Sequence, residues 1–217
     1  MKTALRDIFS TGRSITKGTG SIDPEDVPKQ NLKLVICGDE KTGKSKLFDR
    51  IVYDSYTEAY FQTIGSDCQT TIRVVPGACV EVEVWDTAGS SQYRDVLPIF
   101  FSNTDIVIVV YDVTNKKSFD SVPGHVADIR NWVGSECDIA ILGSKIDSWK
   151  NAREVAFNDA LQLSQRLGTK CYETSAVTTQ GLEDALRKMI KRALKRKRLL
   201  PEWLMSTPRD GQEDEFD

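Results

Sequence analysis

An apolar run, LKLVIC, leads directly into GDEKTGKS, Gly38 to Ser45. Gly38, Asp39, Glu40, Lys41, Thr42, Gly43, Lys44 and Ser45, followed by Lys46, fit the pattern G-x-x-x-x-G-K-[ST]. A strand, a glycine-containing loop and a helix in that order aim backbone N–H groups and the positive end of a helix dipole at one point, which suits a polyphosphate. Gly38 and Gly43 permit the turn and the close approach of backbone to phosphate. Lys44 brings a point charge for the outer phosphates, and the Ser45 hydroxyl a ligand for Mg²⁺. Glu40 is the anomaly, a carboxylate in a loop that wraps anions. One unit pair at ~5 Å costs about 3 kcal/mol at an effective dielectric of 20. Its side chain is therefore expected to turn outward or to pair with Lys41.

Three later stretches extend the same chemistry. In DTAG, Asp86 to Gly89, a carboxylate at a strand end can make a second Mg²⁺ contact. In SKID, Ser144 to Asp147, the Asp147 carboxylate can accept from the N1–H and N2–H₂ of guanine, a donor pair that adenine lacks. Lys145 would pack along the base plane. In ETSA, Glu173 to Ala176, with Val177 following, a backbone N–H can reach the guanine O6.

These residues need a frame, and the hydrophobic pattern provides one. LKLVIC, DIVIVVYD and DIAILGS are continuous apolar runs of the kind found in strands covered on both faces. QTTIRVV and CVEVEVW alternate around Pro76-Gly77 and read as a hairpin with one buried face. Helical patterns follow the phosphate loop (Leu47, Ile51 and Val52 on one side) and recur in SFDSVPGHVADIRNWV, interrupted at Pro123-Gly124. Two more run over NAREVAFNDALQLSQRL and GLEDALRKMIKRALKRKRLL, with a short strand at Thr169 to Glu173 between them. Strands alternating with helices predict an α/β fold: a doubly wound, mostly parallel six-stranded sheet with one antiparallel edge strand.

Composition sets the outer limits. The 217 residues are enough for one domain with tails, and a net charge of −3 gives no general attraction to nucleic acid. No apolar run approaches the ~20 residues that span a bilayer. The five cysteines are scattered singly, which fits free thiols in a reducing compartment and predicts a cytoplasmic protein. Cys37 and Cys171 read as small core residues. Residues 1–30, rich in Ser, Thr and Gly, read as a flexible arm whose opening loosely resembles a transit peptide, an idea that Asp7 weakens. Residues 31–198 would form the domain, and 199–217 a tail with an acidic end.

The order GDEKTGKS, QTIG, WDTAG, SKID, ETSA, together with YDVTNKKSFDSV, resembles the Ras superfamily of small GTPases, nearest to its Rab branch. Trp85 before DTAG, Thr63-Ile64-Gly65 and YDVT followed by SF carry the Rab likeness, and the resemblance spans about residues 31–195. It implies a P-loop NTPase G domain that binds GTP or GDP with Mg²⁺ and acts as a molecular switch in vesicle trafficking. Effectors and regulators would meet it at switch regions near 57–66 and 87–98. It further implies that Ser45, Thr63 and Asp86 serve the metal, that Tyr60 covers the phosphates and that Tyr56 stacks near the guanine.

Four positions depart from that family. Glu40 stands where a small residue is usual, and Lys41 replaces a glycine. Ser90 replaces the glutamine that orients attacking water; Gln92 lies two residues further on. Ser144 replaces the asparagine of N-K-x-D and is expected to lose ties between the base loop and the phosphate loop. The reading is a switch with slow hydrolysis. The alternative is a pseudo-GTPase that binds partners without turnover. The sequence stops at GQEDEFD with no cysteine after Cys171, so a prenyl anchor is not expected. The eight basic residues from Arg187 to Arg198 are expected to face outward over the stripe Leu182, Leu186, Ile190 and Ala193. They would form a solvated face, a weak contact for anionic membrane or an import signal. The tail, with Trp203 and Leu204, would fold back on that face or dock a partner.

Overall fold

The computed structural model describes residues 29–59, 62–76, 78–90, 97–134, 136–148 and 153–200. Expectations for Tyr60, Gln92, Gly77, most of the N-terminal arm and the tail beyond residue 200 lie outside them. The strands are β1 (Lys29–Cys37), β2 (Ser66–Val75), β3 (Ala78–Thr87), β4 (Ile106–Asp112), β5 (Asp138–Ser144) and β6 (Lys170–Glu173). They form one sheet in the order β2-β3-β1-β4-β5-β6, with β2 antiparallel to β3 and every other pair parallel. The helices are α1 (Lys44–Tyr53), the single turn α2 (Leu97–Phe100), α3 (Lys116–Asp120), α4 (Val122–Val133), α5 (Phe157–Arg166) and α6 (Leu182–Arg196).

Side-chain alternation along the central strands builds two cores. Leu32, Leu34 and Ile36 of β1, with Ile106 and Ile108 of β4, pack under α1 and α6. Val35 and Cys37, with Val107, Val109 and Tyr111, pack under α3, α4 and α5. Strands buried on both faces must be apolar at every position, which is why β4 reads as an unbroken run. Parallel strands bring their C-terminal ends to one edge of the sheet, and the loops after β1, β3, β5 and β6 all open there. Ligand sites of doubly wound sheets form at this edge.

Several boundaries differ from the sequence pattern. Strand β1 begins at Lys29, paired with Cys79 of β3, so residues 29 and 30 belong to the sheet and not to the arm. At the other end Leu200 is buried and Leu199 packs against the same core, so the domain extends past residue 198. The cause is a left-handed Arg198 (φ 56°), with the Leu199 N–H bonded to the Leu194 carbonyl and the Arg198 N–H to Lys195, which turns the chain back. Pro123-Gly124 does not interrupt a helix. The break falls at Ser121 between α3 and α4, and Pro123 sits in the first turn of α4, where its missing N–H costs nothing. Helix α5 starts only at Phe157; Arg153 to Ala156 are not helical.

The basic helix α6 also departs from expectation. Arg192 and Arg196 reach Asp138, and Lys197 reaches Asp105, carboxylates at the N-terminal ends of β5 and β4. Arg187 and Lys188 both pair with Asp184. Much of the charge is thus turned to partners within the domain. The apolar stripe is as expected, with Leu182, Leu186, Ile190 and Ala193 all buried. Leu186 is 2% exposed, so Leu186→Ala should lower unfolding stability by ~2–5 kcal/mol. Lys188→Ala, which removes an exposed helix pair, should cost less than ~0.5 kcal/mol. Urea titrations followed by circular dichroism would show the contrast; equal effects would mean that α6 is not held by its apolar face.

Candidate functional site

The loop after β1 is shaped by close approach. A side chain at Gly38 would overlap the Val110 carbonyl of β4, and the residue has φ 129°. A Cβ on Gly89 would lie 2.5 Å from Lys44 Nζ and 2.7 Å from the Glu40 amide nitrogen. Two chain segments, 38–45 and 86–90, are therefore stacked backbone on backbone. Lys44 is buried, and its ammonium donates to the Asp39 carbonyl at 2.6 Å. Burial pushes its pKa down, while the Asp86 charge opposes that shift. Thr42 is buried too, its hydroxyl donating to the same carbonyl at 3.0 Å. Glu40 and Lys41 are exposed. Lys41 sits at φ 64°, in the left-handed region where a glycine would be free of strain.

The three residues singled out as metal ligands meet, although they come from three separate segments. The Ser45 hydroxyl lies 2.5 Å from Asp86 Oδ2 and 2.8 Å from Thr63 Oγ1, and Thr63 Oγ1 is 3.4 Å from the same carboxylate oxygen. Asp86 Oδ1 is buried with no hydrogen-bond partner among the described residues. A buried, unpartnered carboxylate oxygen beside two hydroxyls is an oxygen donor set of the kind that hard divalent cations take. Burial pushes the Asp86 carboxyl up to about 6, against the Ser45 hydrogen bond and the Lys44 charge. The Ala88 N–H donates to the Gly65 carbonyl at 2.9 Å, which ties the segment bearing Thr63 to DTAG.

The second half of the site lies beside the phosphate loop, where Gly43 faces Ser144 and Lys145. Asp147, in the 3₁₀ turn Ile146–Ser148, has a buried Oδ1 without a partner among the described residues. An acceptor left open in this way fits a pair of donors on a planar ligand. Lys145, also left-handed at φ 64°, stretches from the β5 loop to donate to the Lys41 carbonyl at 2.7 Å and to pair with Asp112 at 2.6 Å. In the last loop the Ser175 N–H is bonded to the Gln180 carbonyl and the Val177 N–H to the Ser175 hydroxyl. That leaves Ala176, whose carbonyl accepts from Arg50 at 2.9 Å.

A family model described as the Ras family matches residues 33–195. The chain is a Rab-like member of the Ras family. It is 31% identical over 157 residues to Ras-related protein Rab-4 of Dictyostelium discoideum, an alignment covering 72% of this chain and 76% of that one. It is 30% identical over 166 residues to GTP-binding protein ypt2 of Schizosaccharomyces pombe, covering 76% and 82% respectively.

Within this small GTPase, one expectation needs correction. Ser144 does not lose its tie to the phosphate loop: its buried hydroxyl hydrogen-bonds to the Thr42 carbonyl and lies 3.0 Å from that of Tyr111. Strand β5 ends close enough to the loop for a side chain as short as serine to reach. The Lys46 side chain donates to Thr57 Oγ1 and the Ala59 carbonyl, bracing the segment that leads to Thr63. Tyr56 is half-buried in that segment, and Ser90 is half-buried beside Gly89.

Two other contacts had no signal in the sequence. Arg153 clamps Glu173 with bonds of 2.8 and 2.9 Å, joining the two loops that flank Asp147. His125 of α4 contacts Asp39. Neither Arg153 nor His125 lies in a motif, and only folding brings them to Glu173 and Asp39, which do. The Asp86 carboxyl, held above its usual range by burial, binds its proton more firmly in the folded chain than in the unfolded one. Its contribution to stability therefore falls as pH rises through about 4 to 6. In chelator, Asp86→Asn should gain stability relative to the parent across that window. Thermal midpoints at stepped pH would show it, and a parent that gains on the variant would mean that its neighbours stabilise the carboxylate instead.

Proposed function

We propose that this GTPase is a guanine-nucleotide switch that binds GTP and GDP with Mg²⁺ and hydrolyses GTP slowly. The observation that carries the reading is the convergence of Ser45, Thr63 and Asp86 within 2.5–3.4 Å of one another, beside the buried Lys44. Ser45, Thr63 and Asp86 would hold Mg²⁺, which would neutralise phosphate charge when bound. Lys44 and the loop amides orient the phosphates, Asp147 accepts from the guanine edge, and Ala176 N–H serves O6. Thr63 joins the site only when its segment is ordered, which makes that segment the reporter of nucleotide state. Partners would read it together with the segment around Gly89 and Ser90. The five free cysteines support a reducing, cytosolic setting. No nucleic acid is assigned as a partner. The pairing of α6 with Asp105 and Asp138 leaves at most a weak attraction to anionic membrane.

Slow hydrolysis follows from what stands beside the reacting phosphate. Catalysis of this transfer is positioning and electrostatic stabilisation, and Ser90 is too short to orient a water. Glu40, exposed at the loop rim, would crowd or capture an arginine offered by a partner. Nucleotide released from the purified protein tests the reading: GDP shows turnover, GTP a locked switch, and no nucleotide the scaffold alternative.

Base choice and rate give two sharper outcomes. Asp147→Asn should move preference from guanine to xanthine nucleotides, since xanthine presents an acceptor where guanine has its amine. Equal affinity of the parent for ATP and GTP would remove Asp147 from that role. In single-turnover assays Glu40→Gly with Ser90→Gln should raise the hydrolysis rate more than either change alone, because both groups border the same water. A parent already as fast as a glutamine-bearing relative would end the slow-switch reading.

A further inference from the structure

The phosphate loop carries two carboxylates in succession, Asp39 and Glu40, where anions are to bind. Glu40 is exposed. Asp39 is held by other means, and we propose that His125 is a positioning residue that latches Asp39, and with it the Lys44 anchor, to helix α4. The proposal rests on the nucleotide-binding reading above. His125 Nε2 lies 2.7 Å from Asp39 Oδ1, across 86 positions of sequence. A carboxylate only accepts, so Nε2 carries the proton and donates. Both halves of Asp39 are then fixed: its side chain by His125, its carbonyl by Lys44 Nζ at 2.6 Å and the Thr42 hydroxyl at 3.0 Å.

His125 is itself well placed to hold. Its backbone N–H is bonded to the Ser121 carbonyl in the first turn of α4, and Val126 and Ile129 bury that helix against the sheet. The latch spans a cleft of about 240 Å³ lined by Asp39, Gly89, Ser90, His125, Asp128 and Trp132, among others. Without the imidazole the Asp39 carboxylate would be released beside the loop amides. There it would compete with phosphate for the same donors, and any movement of residue 39 would carry the carbonyl that Lys44 grips. Gly89, stacked on the Asp39–Glu40 peptide, would be disturbed as well. The latch thus keeps one native carboxylate out of a site built for anions.

The test uses the full chain loaded with methylanthraniloyl-GDP and Mg²⁺. His125→Phe keeps the bulk and removes the donor, and should speed nucleotide release about fivefold, the scale of a charge-assisted hydrogen bond discounted for partial exposure. His125→Gln, which retains a donor, should stay within about twofold of the parent. In an Asp39→Ala background, His125→Phe should add nothing, because the carboxylate to be restrained is gone. Equal release from the Phe and Gln variants, or additive effects in the double variant, would overturn the latch. A second readout does not need bound nucleotide. His125 is the only histidine in the chain, so one imidazole with two nitrogen resonances is expected by ¹⁵N NMR. Its Nε2 resonance should shift in Asp39→Ala; no shift would overturn the contact. If the parent binds no nucleotide, the switch reading falls while the imidazole signal still judges the latch.

Discussion

Two opposite charges, Lys44 and Asp86, are buried within each other's field at the C-terminal edge of the sheet, and much of the surrounding structure keeps them there. Burying either alone is costly, and the pair gains only if geometry and hydrogen bonds satisfy both. Lys44 is gripped by the Asp39 carbonyl, and Asp86 by the Ser45 and Thr63 hydroxyls. The opposed shifts of the two groups, Lys44 downward and Asp86 upward, both come first from burial. Such a site holds its charges ready for a ligand that brings phosphate and a cation together. It also explains why Gly89 has no room for a side chain, since a Cβ there would part the segments that carry the charges.

Around that pair the departures from the family pattern fall into two kinds. Ser144 and Lys41 change the residue but keep the architecture. The serine hydroxyl still meets the Thr42 carbonyl, and Lys41, in its left-handed conformation, still presents its carbonyl to Lys145. Glu40, exposed, and Ser90, half-buried, stand at the rim of the site. Under the proposed function, nucleotide binding would depend on backbone and buried charge, and hydrolysis on side chains at the rim.

The far edge of the sheet answers to a different need. Parallel strands start together at one end, which places Asp105 and Asp138 side by side at the N-terminal ends of β4 and β5. Arg192, Arg196 and Lys197 close over them. A helix that looks like a free basic surface in the sequence is partly a clamp on the domain. Its apolar stripe and its left-handed end at Arg198 bring Leu199 and Leu200 into the core as well.

The sequence by itself determined the fold class, the order of strands and helices, and the phosphate-loop, DTAG, SKID and ETSA segments. It could do so because each is a local pattern: apolar runs of the right length, a glycine-bearing turn, a carboxylate at a strand end. It also named Ser45 and Asp86 for the metal from their motifs and Thr63 through resemblance, though nothing in their spacing says that the three meet. Tertiary structure alone decided the rest. Whether Ser144 reaches Thr42, where Lys46 turns, which carboxylates take the charges of α6, and that Arg153 and His125 join the site are all questions of distance between segments far apart in the chain. Hydrogen bonds and ion pairs act over about 3 Å, and no periodicity along the chain records which residues folding will bring that close.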